Sequence, residues 1–170
     1  MWEALLLGDG AAPDALYPLD LERAHAKLAG FKEHIVGFWG GGAESQSLLM
    51  NGDASKALLR STRAKLLEQD SGGNIKFICD QGLISPGAMA VIKGNPGGAE
   101  TAMKVIASAQ VPEKELVMFE MLGQGPVNLA NTALIPEAER RFNPVDLADF
   151  ALQVLLDMVW DEENYGPALE

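Results

Sequence analysis

The sequence predicts an α/β fold with a short mixed or parallel sheet over residues 1–95, followed by a helical C-terminal segment over residues 96–170. Three observations carry this. Short apolar runs of strand length, His34 to Trp39 and Ala88 to Ile92, alternate with stretches of helical spacing. The second run is apolar on both faces, as in a strand covered by helices on both sides. Beyond Ala99 the apolar positions recur at helical spacing. Alternation of this kind implies layered packing with a partly parallel sheet.

Taken in order, Trp2 to Leu7 reads as the end of a buried helix that stops at Gly8-Asp9-Gly10. Pro13 to Pro18 is a turn region. Asp20 caps a helix to about Leu28 on the spacing of Leu21, Ala24 and Leu28, with Gly30 just beyond. His34 to Trp39 predicts a strand, and Gly40-Gly41-Gly42 leads into a helix over 43–51 closed by Gly52. Ala57 to Arg60 predicts a second strand, followed by a helix through Leu67. Ser71 to Asn74 is a turn, Ile75 to Cys79 alternates as a strand, and Ala88 to Ile92 is a central strand. Ala102, Val105, Ile106 and Ala109 mark one helix, and Pro112 starts the next, which ends at Gly123. A helical turn is expected over Pro136 to Arg140. The last helix, 144–163, carries an acidic stripe of Asp146, Asp149, Asp157 and Asp161.

The chain has 170 residues, 48% of them apolar and 22% charged, which excludes wholesale disorder and suits one domain with a tail. Its net charge of −11 argues against nucleic acid, since phosphate binding needs a basic patch. No stretch approaches the ~18 apolar residues of a membrane span, so no membrane insertion is expected. The first residues lack the basic region of a signal peptide. A single cysteine, Cys79, reads as a buried, inert thiol.

The chemistry-bearing candidates are sparse. The glycines after Trp39 place Gly40, Gly41 and Ser45 at a helix start, where backbone N–H groups attract anions. The loop is either a structural turn or a ligand-facing one, and it is neither a GxGxxG nor a phosphate-binding P-loop. His25 and His34 are isolated, with no metal-ligand spacing. His25 reads as a helix-surface residue and His34 as a strand start. Arg60, Arg63 and Lys65 form a basic cluster that reads as a solvated helix start or as a carboxylate or phosphate anchor. No cofactor and no enzyme activity are predicted, because no acid–base pair accompanies the loop.

The order of these segments resembles that of bacterial extracellular solute-binding proteins of the polyamine (spermidine/putrescine) ABC-transporter type. The resemblance rests on Gly37 to Asp53 (GFWGGGAESQSLLMNGD), Gln81 to Lys93 (QGLISPGAMAVIK), Gly125 to Asn128 (GPVN) and Trp160 to Tyr165 (WDEENY). It implies a partial periplasmic-binding-protein-like lobe, 1–95, lacking its first strand, with the helical segment 96–170 packing on the other lobe. Members run to about twice this length, as two lobes of ordinary size require, so the chain reads as a C-terminal portion, a fragment or an engineered derivative. The implied partners are a small solute and an ABC permease, in a periplasmic or extracellular setting. The implied ligand-binding positions are Trp39, Gly40, Gly41, Ser45, Arg60, Ser85 and Gly87.

In the family, cationic polyamines meet aromatic walls and carboxylates. Here Arg60 stands where an aromatic is expected, and Ser85 and Gly87 stand where a cleft aromatic and carboxylate are expected. An Arg repels a cation, so impaired polyamine binding is expected. Two alternatives follow from the residues themselves. One is a non-binding scaffold that self-associates as a homo-oligomer through apolar helix faces left without partners. The other is an enzyme that handles phosphate on the Gly40–Gly42 loop.

Overall fold

A computed structural model describes residues 1–166; positions 167–170 of the expected helical segment lie outside the described residues. In chain order the elements are α1 (Trp2–Gly8), α2 (Leu21–Phe31), α3 (Gly42–Met50), α4 (Ser61–Asp70), β1 (Leu83–Ile84), α5 (Gly98–Ala109), α6 (Pro112–Leu122), α7 (Leu147–Phe150), β2 (Val154–Leu155) and α8 (Met158–Asn164). Short 3₁₀ turns occupy Pro13–Ala15, Lys32–His34, Leu129–Ala133 and Glu137–Phe142. The chain forms two compact units. The first is built from Met1–Lys56, Ile78–Ser85 and residues from Ala151 onward; the second from Ala57–Phe77 and Pro86–Phe150. Each unit therefore draws residues from both sides of position 95.

In the first unit, α1 buries Trp2, Leu6 and Leu7 against Leu16, Leu19, Ala24 of α2 and Val154 of β2. The Asp20 carboxylate accepts the Arg23 backbone N–H at 2.9 Å and so starts α2, as the sequence predicts. Gly30 lies inside α2, which runs on to Phe31. Arg23 donates to the Asp9 carboxylate at 2.6 Å and to the Asp9 carbonyl at 2.7 Å. That places a cation at the C-terminal end of α1, where the helix dipole favours it. Tyr17 donates its hydroxyl to Glu3 at 3.0 Å, and its ring meets Trp160 edge-on at 5.8 Å. Burial first, and the Glu3 carboxylate with it, pushes the Tyr17 hydroxyl well above the usual tyrosine range.

The sheet is two parallel strands, with Leu83 opposite Val154 and Ile84 opposite Leu155. Val154 N–H donates to the Gly82 carbonyl at 2.8 Å, and Leu156 N–H donates to that of Ile84 at 2.9 Å. Gly82 is required by this approach: a Cβ there would sit 2.9 Å from both the Cys79 carbonyl and the Gln153 side-chain oxygen. Here the expected helix over 144–163 is corrected. The chain forms α7, then β2, then α8. The run Val154-Leu155-Leu156 gains ladder hydrogen bonds from β1 that an amphipathic pattern cannot reveal. Asp157 belongs to no stripe; its carboxylate caps α8 by accepting the N–H groups of Val159 and Trp160 at 3.1 and 3.0 Å. Burial, then the Glu3 and Asp157 carboxylates, push the Asp161 carboxyl up.

The second unit is centred on Phe119 of α6, with Ile135, Phe142, Phe77 and Leu116. Pro112 opens α6 and Gly123 closes it in the left-handed region, at φ +69°. Against that end lies Lys65, only 1% exposed. Its ammonium donates to the carbonyls of Phe119 at 3.0 Å and Glu120 at 2.9 Å, and pairs with Glu139 at 3.0 Å. It also stands over the rings of Phe119 and Phe142, 4.7 and 5.5 Å from their centroids. One α4 turn further on, buried Glu68 accepts from Arg141 at 2.6 and 3.2 Å and from the Phe77 N–H at 2.9 Å. The Arg141 guanidinium, above all, holds the Glu68 carboxyl below its ordinary range.

Four expected strands do not form. None of 34–39, 57–60, 75–79 and 88–92 pairs as a strand, and the described residues hold only the β1–β2 sheet. His34 closes a 3₁₀ turn instead of opening a strand. A strand exists only through its ladder, and none of these four segments joins one among the described residues. The period-two pattern survives at 75–79, where Cys79 is buried and Ile78 is 77% exposed.

Candidate functional site

Five of the seven expected ligand-binding positions, Trp39, Gly40, Gly41, Ser45 and Ser85, belong to the first unit, and Arg60 and Gly87 to the second. The chain passes from one unit to the other at Lys56–Ala57, Phe77–Ile78, Ser85–Pro86 and Phe150–Ala151. Ser85 therefore immediately precedes a junction, and Arg60 and Gly87 lie within four residues of one.

In the first unit Gly41 caps α3, and the half-buried Trp39 precedes it. The Gly40 N–H donates to the Glu44 carboxylate at 2.9 Å. This is a helix-start carboxylate reaching back to the residue before the N-cap, one position beyond the N-cap N–H that a capping box uses. Glu44 thus fills the anion role at the loop, and a phosphate placed there would meet a like charge. Ser45 is buried, and its hydroxyl donates to the Gly42 carbonyl at 2.8 Å, so its proton is turned into its own helix. Ser85 is exposed just after β1, with its hydroxyl 3.7 Å from the Met158 sulfur at the start of α8. Glu44 was missed in reading the sequence, although the spacing Gly41-x-x-Glu44 is a signal for it.

In the second unit Arg60 occupies the N-cap position of α4 with extended backbone, φ −66° and ψ 137°. It is exposed, and no hydrogen bond or ion pair of its side chain occurs among the described residues. The expected basic cluster is corrected: Lys65 is buried among backbone carbonyls and phenyl rings. At 100° per residue it lies on the far side of α4 from Arg63, so it is withdrawn from solvent and Arg60 is left as an exposed cation at the helix start. Gly87 is exposed, and a Cβ there would meet nothing within 4 Å. No backbone constraint therefore demands glycine at this position.

The remaining candidates are structural. His25 stacks on Trp2 with centroids 4.6 Å apart, and His34 tilts against Phe31. Cys79 is buried. An open groove of about 400 Å³ on the first unit, lined by Asp9, Arg23, Lys27 and Phe31 among others, includes none of the expected site residues. Its Arg23 and Lys27 are both paired with Asp9, at 2.6 and 3.3 Å. Among the described residues no group of three metal-ligating side chains occurs, and no helix is long and apolar enough to cross a membrane.

No protein-family model matches the sequence, and no curated protein matches it. Solved structures do. An ABC transporter substrate-binding protein from Bradyrhizobium japonicum USDA 110 is 32% identical with a TM-score of 0.89, covering 99% of this chain and 52% of its own. The Atu4243-GABA receptor is 32% identical with a TM-score of 0.86, covering 98% and 51%. The periplasmic binding protein AgtB from A. tumefaciens R10, in complex with agropinic acid, is 28% identical with a TM-score of 0.82, covering 98% and 52%. The chain spans about half the length of the structures it matches. It has the fold of about half of an ABC transporter substrate-binding protein, and these neighbours are transport proteins, not enzymes.

Proposed function

We propose that this chain contributes one half of a solute-binding protein that delivers a small solute to an ABC permease, in a periplasmic or extracellular setting. The observation that carries the reading is the match of nearly the whole chain to half of such a protein at 32% identity. The solute is carboxylate-bearing. Arg60 is an exposed guanidinium without a partner among the described residues, and guanidinium prefers a bidentate carboxylate. One neighbour is named as a GABA receptor and another was solved in complex with agropinic acid, and both solutes carry carboxyl groups.

In this reading Arg60, in the second unit, anchors the carboxylate. Trp39, Gly40, Gly41, Ser45 and Ser85 of the first unit and Gly87 of the second remain candidate positions, each within its own unit. A polyamine fits poorly, because Arg60 repels it and neither Ser85 nor Gly87 offers a carboxylate. Binding by this half alone is weak, since a solute cleft shared between lobes needs both walls. The phosphate-enzyme alternative is disfavoured by Glu44 at the glycine loop.

The test is amide chemical-shift mapping of the chain by NMR with GABA, agropinic acid, putrescine and spermidine at millimolar concentration. The carboxylate solutes are expected to shift residues 59–62, and Arg60→Gln to abolish the shifts. Shifts there with the polyamines alone would overturn the solute class.

A further inference from the structure

In the second unit two asparagines are closed off from solvent, Asn131 at 0% and Asn143 at 1% exposure. Both belong to the 3₁₀ turns that close the Phe119 core. Asn131 lies within Leu129–Ala133, and Asn143 directly follows Glu137–Phe142. Each adjoins a core residue: the Asn131 carbonyl accepts the Ile135 N–H at 3.2 Å, and Asn143 is next in the chain to Phe142.

A buried polar atom needs a partner, and almost every polar atom of these two residues has one. Asn131 donates its backbone N–H to the Asn128 carbonyl at 3.0 Å, and its own carbonyl also accepts the Leu134 N–H at 2.8 Å. Its Nδ2 donates to the Glu115 carboxylate at 2.5 Å. Asn143 donates its backbone N–H to the Arg140 carbonyl at 2.8 Å and accepts the Asp146 N–H at 3.0 Å. Its Oδ1 accepts the Val145 N–H at 3.2 Å. One atom of each side-chain amide is left over. Asn131 Oδ1, an acceptor, and Asn143 Nδ2, a donor, are buried without a partner among the described residues. Turning the amides over does not help. It would set the Asn131 oxygen against the Glu115 carboxylate, and the Asn143 NH₂ against the Val145 N–H. The buried Glu139 Oε2 is a different case, because the Lys65 ammonium faces it at 3.0 Å.

The two leftover atoms need opposite things, a donor at Asn131 and an acceptor at Asn143. A cation would serve only the first and an anion only the second, each through one neutral amide. Among the described residues no group of three metal-ligating side chains occurs. Burial this complete excludes a larger solute. Water is small, neutral, and both donates and accepts. We propose that the core of the second unit holds internal water as a structural ligand, donating to Asn131 Oδ1 and accepting from Asn143 Nδ2. It completes the hydrogen bonding of the two turns that cover Phe119, and it involves neither Arg60 nor a solute.

The test is water-selective NOE and ROE spectroscopy on the whole chain labelled with 15N-asparagine, with water itself as the probe. The side-chain amide protons of Asn131 and Asn143 are expected to show water cross peaks of the sign that marks water tumbling with the protein. Asn131→Ala and Asn143→Ala are each expected to lower the amplitude of water 17O relaxation dispersion by at least the share of one long-lived water. If either variant fails to fold, the cross peaks of the parent chain decide alone. Cross peaks absent from either side chain, or of the sign given by surface hydration, would overturn the proposal. So would a dispersion amplitude unchanged in both folded variants, or exchange of these amide protons with bulk water as fast as at exposed Asn51.

Discussion

Lys65→Met removes one ammonium from the second unit and little else, because Met keeps the length of the stem and its burial. The ammonium has two carbonyls at the end of α6 within 3.0 Å and the Glu139 carboxylate at 3.0 Å. Hydrogen bonds to a charged group contribute about 1.5–3 kcal/mol each, and the phenyl rings add about 0.5–2 kcal/mol. Against this, an ammonium 1% exposed has lost its hydration, which costs several kcal/mol. Glu139 is one-third exposed and can turn to water when its partner leaves. The net cost is therefore set at the lower end of that for breaking a buried pair, about 3 kcal/mol. For a chain of this size that lowers Tm by about 6–12 °C. Urea unfolding followed by circular dichroism measures it, with Lys56→Met on the surface as control. Because the Glu139 carboxylate can reach water, the companion Lys65→Met/Glu139→Gln should differ from Lys65→Met by less than about 0.5 kcal/mol. A Lys65→Met variant within about 0.5 kcal/mol of the parent, with unchanged m, would refute the clamp.

Three further outcomes are expected. Glu68 has its folded-state pKa lowered by Arg141, so its contribution is present above the ordinary carboxylate range and is lost as pH falls through the lowered value. Acid unfolding monitored by fluorescence should accordingly move to higher pH in Arg141→Gln. Tyr17 should ionise well above pH 10, read as a late phenolate absorbance step that disappears in Tyr17→Phe; a single step in the ordinary range would exclude its burial against Glu3. Gly82→Ala should destabilise the chain by about 1–3 kcal/mol, since the new methyl meets a backbone oxygen at 2.9 Å. A neutral effect in thermal melts would mean that β1 does not run where it is placed.

What was legible in the sequence is what local chemistry decides. Asp20 starts α2, Pro112 and Gly123 bracket α6, and the helices over Gly42–Met50, Ser61–Asp70 and Gly98–Ala109 follow from spacing and glycine punctuation. What was not legible depends on distant partners. The runs at 34–39 and 88–92 have strand composition and no ladder, whereas Val154-Leu155 looks helical and is a strand because β1 lies beside it. The site divides in the same way. Arg60 was visible as a cation at a helix start. The inward turn of Lys65, the occupation of the glycine loop by Glu44 and the self-satisfied hydroxyl of Ser45 required the coordinates of atoms far apart or rotated about one helix.

The proposal that this chain contributes half of a binding protein for a carboxylate-bearing solute, with Arg60 as its anchor, meets its most direct test in solute titration. GABA is titrated calorimetrically into the chain fused to the portion of the GABA receptor that it does not match. Micromolar binding is expected, at least a hundredfold weaker with Arg60→Gln and undetectable with putrescine. Putrescine binding, or GABA binding indifferent to Arg60→Gln, would contradict it.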